Sequence, residues 1–223
     1  MDHSEEVKEL IAELRRLLPS RISGKEAVLD MKNGGSRNWR QMEWIGFWFE
    51  YFVETKVEGL KQFKRGPKYG NVTFDLARDF VWDLKSHPEQ AGNKLPLNDQ
   101  QAVRQAAASG GLGYLIIIGD AEYDESGEFK AWHDQLKGKK TAYVLSNEAK
   151  GKPSRRRKSQ FSPYQLLAIW LQDEAAIDRG IREGWLGAFQ EGMANANGVP
   201  RRAKFMLNLD KVPQDIILAV TGL

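Results

Sequence analysis

Apolar residues recur with helical spacing in the N-terminal part of the chain. Leu10, Leu14 and Leu17 lie on one face of a helix that we predict over 4–18. A second helix is predicted over 38–54, where aromatic residues occur on nearly every side. A helix that is apolar all round is normally buried. The second helix should therefore lie inside the protein.

The middle of the chain contains segments that are typical of β-strands. Segments 72–77 and 80–85 are predicted to form two strands joined by a short hairpin turn. An alanine-rich helix over 98–109 and a buried strand over 114–118 follow. When an ambiguous segment at 57–64 is counted as a strand, the order from residue 38 is helix, three strands, helix, strand.

The C-terminal half is less regular. The chain is polar over 123–140 and basic over 148–159. No linker divides the sequence, so we predict a single domain over residues 1–223. The elements predicted in this half are strands over 141–145 and 203–209, a helix that begins at Ser162-Pro163, and helices over 181–192 and 213–220.

Composition excludes several kinds of site. The 223 residues include no cysteine, which excludes disulfides, cysteine nucleophiles and cysteine-ligated zinc. No apolar run reaches the ~18–20 residues of a membrane span, and the N-terminus does not resemble a signal peptide. We therefore expect a soluble cytoplasmic protein with no membrane partner. The net charge of +3 allows a polyanionic partner without requiring one.

Two acids and a lysine on the predicted hairpin are the strongest candidates for chemistry. Asp75 lies on its first strand, and Asp83 and Lys85 lie on its second. Side chains alternate along a strand, so Asp83 and Lys85 share one face. Carboxylates can hold Mg²⁺, and a lysine can position or deprotonate an attacking water. This set favours hydrolysis of a phosphodiester, and a salt bridge on a solvated sheet face is the alternative.

An acid two residues before a lysine occurs six times in the chain, so the context must select among the copies. Asp30 and Lys32 follow an apolar segment at 27–29 and could end a strand. They lack a hairpin that carries a second acid. The copy at Asp83 and Lys85 lies in an apolar strand that pairs with an acid-bearing strand, and it is therefore preferred.

The aromatic helix predicted over 38–54 carries a fourth candidate, Glu43. An acid among tryptophans either binds a cation or joins a hydrogen-bond network, and a partly exposed helix position is the simpler alternative. Glu50 lies seven residues further on, on the same predicted face, and Glu54 falls near it.

This order of elements, together with Asp75, Asp83 and Lys85, resembles the core of the PD-(D/E)XK nucleases over about residues 38–122. That superfamily includes most type II restriction endonucleases and several DNA-repair and junction-cleaving nucleases. Phe74 stands where the motif name has proline, and Asp83 stands where glutamate is commoner. The family tolerates both variants.

The resemblance implies an α/β fold, in which a central mixed sheet is flanked by helices and the αβββαβ core carries C-terminal additions over 123–223. It implies that Asp75 and Asp83 bind Mg²⁺, that Lys85 serves the attacking water, and that Glu43 assists at the metal. The implied function is Mg²⁺-dependent cleavage of double-stranded DNA by a type II restriction endonuclease. A homodimer is an assembly that the resemblance allows.

A basic run supplies candidate DNA contacts. Six basic residues fall within 150–158, and they suit phosphate contacts and readout of guanine edges. A solvated surface loop is the alternative. The residues predicted to contact DNA are Lys152, Arg155, Arg156, Arg157 and Lys158 in this run, and Arg37, Arg40 and Gln100 near the core.

Three other functions stay open at the level of sequence. A repair, recombination or junction nuclease would have the same core. A nucleic-acid-binding protein with an inactive nuclease-like core is the second alternative. The third is a basic RNA-binding or assembly factor whose resemblance to nucleases is accidental.

Overall fold

The computed structural model describes residues 2–138, 145, 149–151, 155–195 and 198–223. The α-helices are α1 (His3–Leu17), α2 (Gly24–Asn33), α3 (Trp44–Lys56), α4 (Gln100–Ala108), α5 (Glu128–Lys137) and α6 (Glu174–Glu183). The strands are β1 (Ile22–Ser23), β2 (Lys68–Tyr69), β3 (Val72–Thr73), β4 (Leu76–Ala77), β5 (Val81–Pro88), β6 (Lys94–Asp99), β7 (Leu112–Tyr123), β8 (Lys158–Leu171), β9 (Leu186–Phe189), β10 (Lys204–Asn208) and β11 (Ile217–Gly222).

The central sheet is mixed. Its strands follow the order β1-β8-β7-β5-β4, and β11 also pairs with β8. β5 and β7 are parallel, with Asp83 opposite Tyr114, whereas the other pairs in this sheet are antiparallel. Parallel neighbours need a long connection, which here runs through β6 and α4. The predicted α/β class with a central mixed sheet and flanking helices is thus confirmed.

Two apolar layers cover the faces of the sheet. On β7, Leu115 and Ile117 point into a layer that they share with α1, α2 and α3. Tyr114 and Ile116 point into the opposite layer, which they share with α4 and α6. Because side chains alternate along a strand, β7 is apolar on both faces. The buried strand predicted over 114–118 is therefore confirmed.

Most elements predicted before residue 122 are present, but the segment 57–64, counted as a strand, forms a 3₁₀ helix at Glu58–Leu60 and a single β-bridge at Lys64. α1, α3 and α4 match the predicted helices, although α3 begins at Trp44 after a 3₁₀ helix at Arg37–Arg40. β4 and β5 form the predicted hairpin, with Leu76 opposite Trp82. The strand predicted over 72–77 is interrupted, because β3 pairs with β2 in a separate two-stranded sheet.

The helix predicted from Ser162-Pro163 is wrong, because this segment belongs to the 14-residue strand β8. Its apolar run over 166–171 has no periodicity that distinguishes a strand from a buried helix. Pro163 lies beside a bulge in the pairing of β8 with β7, and strands accept proline at bulges.

The remaining C-terminal predictions have mixed outcomes. The strand over 203–209 is confirmed as β10, whereas the helices over 181–192 and 213–220 are wrong, since β9 and β11 occupy parts of them. The strand predicted over 141–145 lies, except for Leu145, outside the described residues. In the part of the chain that the structure describes, every helix is too short or too polar to cross a membrane.

Candidate active site

Asp75 lies in the break between β3 and β4. Its Oδ2 accepts a hydrogen bond from the backbone N–H of Leu84 on β5 at 2.7 Å. Burial raises the pKa of Asp75, while the positive charge of Lys85 and this hydrogen bond oppose the rise. The hairpin therefore holds a carboxylate that gives up its proton less easily than one in water.

Asp83 and Lys85 lie on one face of β5, and Trp82 and Leu84 point the other way into the core. Lys85 Nζ donates to Asp83 Oδ2. Asp83 Oδ1 accepts from Asn98 Nδ2 at 2.9 Å. Only 2% of Asp83 is exposed. The pair is thus a buried one and does not lie on a solvated sheet face.

Lys85 lies close to further charged groups. Burial lowers the pKa of its ammonium group, and the carboxylates of Asp75 and Glu50 oppose that effect. The positive charge of Lys204 lowers the pKa further. Lys85 Nζ lies 5.8 Å from the centre of the Tyr114 ring. A lysine in these surroundings loses its proton more readily than a lysine in water.

Glu50, on α3, is an acid of this site that the sequence reasoning did not select. Its pKa is raised to about 7, first by burial and then by the negative charge of Asp75, while Lys85 opposes the rise. A group that titrates near neutral pH is suited to proton transfer. The available signal was an acid between Phe49 and Tyr51, in the middle of the most aromatic helix.

A cleft of about 330 Å³ opens beside these residues. Its lining includes the acids Glu50, Glu54 and Asp75 and the cations Lys61, Lys64 and Arg65. The charge of Arg65 also lowers the pKa of Asp75. The segment that follows α3 therefore brings cations to the candidate carboxylates.

Glu43 occupies a different position from the predicted one. It precedes the first residue of α3, and its backbone is not helical, with φ −86° and ψ 60°. Its carboxylate pairs with Lys158, and 58% of its side chain is exposed. It does not line the cleft that contains Asp75. The acid that α3 contributes to this cluster is Glu50, because the helix begins only after Glu43.

Arg157, predicted as a DNA contact, is engaged inside the protein. It is 8% exposed, and it donates to Asp134 Oδ1 at 2.5 Å and to His133 Nδ1 at 3.0 Å. His133 is fully buried, and its Nε2 is 2.8 Å from the carbonyl oxygen of Trp39. Arg157 thus anchors the start of β8 to α5 and is not accessible to a phosphate.

The other members of the basic run differ in their surroundings. Arg156 pairs with Glu125 at the surface, and exposed pairs of this kind are weak. Lys158 forms the ion pair with Glu43, which occupies its ammonium group. Arg155 is exposed, and Lys152 lies outside the described residues.

The three predicted contacts near the core are dispersed. Arg37 and Arg40 are exposed on the 3₁₀ helix, and Arg40 Nη1 donates to a backbone carbonyl of α5 at 3.3 Å. Gln100 begins α4, two residues after Asn98, and its Nε2 donates to the carbonyl of Lys204 at 3.1 Å. Of the three residues, Gln100 is the one connected to Asp83 and Lys85, because it follows Asn98, which donates to Asp83.

Asp30 and Lys32 lie on α2 and do not form a joint site. Asp30 pairs with Lys56 at 3.0 Å, and Lys32 Nζ lies 5.6 Å from the centre of the Trp39 ring. Residues two apart on a helix face different directions. This copy of the acid and lysine spacing therefore does not compete with the one on β5.

The cluster offers oxygen ligands, which Mg²⁺ prefers. Glu50 and Asp75 lie close enough that the negative charge of Asp75 adds to the effect of burial on the pKa of Glu50. The buried amide oxygen of Asn98 has no hydrogen-bond partner among the described residues. Within those residues, no three His, Cys, Asp or Glu side chains converge as a ready metal site, and Asp83 is bound to Lys85. The donor types fit Mg²⁺, and Asp83 would join them through carboxylate lone pairs that its hydrogen bonds from Lys85 and Asn98 leave free.

Comparisons with family models, with curated proteins and with solved structures gave no match. The resemblance to PD-(D/E)XK nucleases rests on the order of elements and on Asp75, Asp83 and Lys85, and it stays a prediction. The function is therefore inferred from the geometry of the cluster.

Proposed function

We propose that the protein is a Mg²⁺-dependent nuclease that hydrolyses phosphodiester bonds of double-stranded DNA. The observation that carries the proposal is the shared environment of Glu50, Asp75 and Lys85. The pKa of each is shifted by burial and by the charge of at least one other member of the group. Perturbed acids and bases that share a cleft are typical of active sites.

Lys85 is the proposed general base. Its lowered pKa makes the neutral amine accessible, and a neutral Nζ can accept a proton from the attacking water. Asp83 accepts a hydrogen bond from Lys85 and thereby orients the amine. Asn98 holds the second oxygen of Asp83. The ammonium group that forms when Lys85 takes up the proton is stabilised by Asp83.

Glu50, Asp75 and Asp83 are the residues that would hold Mg²⁺. When bound, the ion would stabilise negative charge on the phosphate and lower the pKa of a water molecule. Because the pKa of Glu50 is about 7, this carboxyl group is partly protonated at neutral pH. Glu50 must release its proton before its carboxylate can bind a cation, so binding of the cation should be pH-dependent.

The cations of the cleft support a polyanionic substrate. Lys64 and Arg65 are exposed and line the same cleft as Asp75. Phosphate contacts by such side chains position a nucleic acid backbone. Site-specific cleavage, as by a type II restriction endonuclease, is the form of the activity that we propose.

Supercoiled plasmid DNA incubated with the protein, in Mg²⁺ and in EDTA, tests the proposal. We expect discrete fragments in Mg²⁺ and intact plasmid in EDTA. Removing the general base by Lys85→Ala should slow cleavage by about 10²–10⁴-fold, and Glu50→Gln should raise the Mg²⁺ concentration that activity requires. The matched controls Lys32→Ala and Glu43→Gln should cleave like the wild type.

Two results would refute different parts of the proposal. Intact plasmid in every condition, with folded protein, would refute the nuclease. Full activity of Lys85→Ala would refute the role of this residue and move the site elsewhere. A smear in place of bands would indicate a nuclease without site specificity.

A further inference from the structure

A second groove lies beside the N-terminal half of α4. It encloses about 720 Å³, which is within the roughly 300–1,000 Å³ of known ligand sites. Its walls are α4, the turn between β2 and β3, and the segment that leads into β10. We call it the amide groove, because its lining includes the carboxamides of Asn71, Gln100, Gln101 and Gln105.

The charged side chains of the amide groove balance one another. They are Arg104 and Arg202, and Asp99 and Glu174. The first cleft is likewise balanced, with three acids and three cations, so the difference between the two sites lies in the four carboxamides of the groove. Carboxamides and guanidinium groups are the side chains that make paired hydrogen bonds to base edges, asparagine or glutamine with adenine and arginine with guanine. The chemistry of the groove therefore suits base edges.

The reading groups are presented in a fixed arrangement. Gln101, Arg104 and Gln105 share one face of α4, because residues three and four apart are neighbours on a helix. Gln101 and Gln105 are exposed. Arg104 is held by an ion pair with Asp178 at 2.9 Å. Packing of the opposite face of α4 into the core keeps the helix from turning.

The opposite wall is also ordered by polar contacts. Asn71 lies in the turn between β2 and β3, and with its carboxamide turned so that the oxygen faces Arg202 it accepts hydrogen bonds from that guanidinium group. These contacts orient the guanidinium group of Arg202 within the groove lining. Both walls thus carry donors and acceptors in defined positions.

The amide groove adjoins the candidate active site. Asn98 donates to Asp83 and lies two residues before Gln100, which lines the groove. Gln100 Nε2 donates to the carbonyl of Lys204, and the positive charge of Lys204 acts on Lys85. A nucleic acid whose phosphate lies at Lys85 would therefore pass close to the groove.

We propose that the amide groove reads base edges of double-stranded DNA next to the phosphate held by the cleft, with Gln101, Arg104 and Gln105 as the reading residues. The identity of this ligand rests on the proposed nuclease function. The inference places sequence readout on α4 and not on the basic run at 150–158. The ion pairs of Arg157 and Lys158 support this choice.

Selection of binding sites from a pool of DNA duplexes with a randomised central segment tests the inference, in Ca²⁺ so that DNA is not cut. The wild type should enrich a defined sequence. The double variant Gln101→Ala/Gln105→Ala should lose preference for that sequence by about 5- to 150-fold for each base contact removed. The salt dependence of binding should not change, because neutral side chains release no counterions. Alanine raises helix propensity, so the variant should fold.

Matched controls exist for both kinds of reading residue. Gln135 is an exposed glutamine on α5, and Gln135→Ala should keep the wild-type preference. Arg104→Ala should lower discrimination by more than Asp178→Ala, which breaks the same ion pair but keeps the guanidinium group.

The outcomes separate this inference from the proposed function. A double variant that enriches the wild-type sequence equally well, or a wild type that enriches no sequence, overturns the inference, while plasmid cleavage in Mg²⁺ would still support the nuclease. Groove-dependent enrichment without plasmid cleavage supports the inference and overturns the nuclease. Preferential binding of RNA or single-stranded DNA over duplex in the same format overturns the duplex as ligand.

Discussion

Replacing Glu6 by glutamine should lower the free energy of unfolding by about 3 kcal/mol, although the two side chains have nearly the same shape. Glu6 lies on α1 and is fully buried. Its Oε1 accepts from the indole N–H of Trp82 at 2.7 Å and from the N–H of Phe80 at 3.3 Å. Its Oε2 accepts from the N–H of Asp79 at 3.1 Å and from Arg78 Nε at 3.3 Å. The carboxylate thus fastens α1 to the turn of the β4–β5 hairpin.

The size of the predicted loss of stability depends on which hydrogen-bond donors lose their acceptor when glutamine replaces Glu6. Its carbonyl oxygen can accept from one pair of donors, and its NH₂ group then faces the other pair. A hydrogen bond to a charged group contributes about 1.5–3 kcal/mol, and a buried donor without a partner costs about 1–3 kcal/mol. One lost charged hydrogen bond and one unsatisfied donor together give about 3 kcal/mol. Arg78 adds little, because it also donates to Glu9.

Urea unfolding at neutral pH measures this difference. Glu9→Gln is the matched control, since Glu9 accepts from the same Arg78 at 2.8 Å but is 37% exposed. The control should lose at most about 1 kcal/mol. For a chain of this size, the loss predicted for Glu6→Gln corresponds to a fall in Tm of about 6–12 °C. If Glu6→Gln were as stable as Glu9→Gln, the role assigned to the buried carboxylate would be refuted.

Three further predictions concern protonation, the basic run and the metal. The pKa of buried His133 is lowered to about 4 in the folded protein, so below the ordinary pKa of 6.5 the unfolded state binds a proton more readily. The free energy of unfolding should keep its full value above pH 6.5 and fall by about 3 kcal/mol as the pH drops to 4. In urea unfolding, His133→Gln should show a weaker dependence of this free energy on pH. Arg157→Ala should lose about 3 kcal/mol in urea unfolding because it leaves buried partners unpaired, whereas exposed Arg155→Ala should change stability by less than about 0.5 kcal/mol. In thermal melts, Mg²⁺ at roughly 100 times its Kd should add about 2.7 kcal/mol of stability to the wild type. Glu50→Gln should lose most of this gain, and an equal gain in both proteins would contradict the metal site.

The candidate site could be predicted where its residues are close in sequence. Asp75, Asp83 and Lys85 belong to one hairpin, so alternation along two short strands was enough to bring them together. The acid that α3 contributes could not be identified in this way. The choice between Glu43 and Glu50 depends on where α3 begins, and a 3₁₀ helix delays that start to Trp44. Local pattern does not reveal such a boundary.

Features that depend on distant partners could not be predicted from the sequence pattern. The apolar run over 166–171 becomes a strand because β7, β1 and β11 pair with β8, and strand formation depends strongly on such neighbours. The burial of Arg157 depends on Asp134 and His133, which α5 brings to it. A run of basic residues has the same appearance in sequence whether its charges are solvated or paired.

The position of β8 has a consequence for the assembly of the chain. Ile22 on β1 pairs with Phe161 on β8, and β11 also pairs with β8. The sheet therefore depends on contacts between residues that are far apart in the sequence. Such contacts close long loops and slow folding. During synthesis β7 leaves the ribosome before β8, and the edge of this apolar strand that pairs with β8 then has no partner. The hairpin with Asp75 and Asp83 can form early, but its supporting sheet is completed late. Aggregation of nascent chains should therefore begin at β7, and coexpressed chaperones should raise the soluble yield.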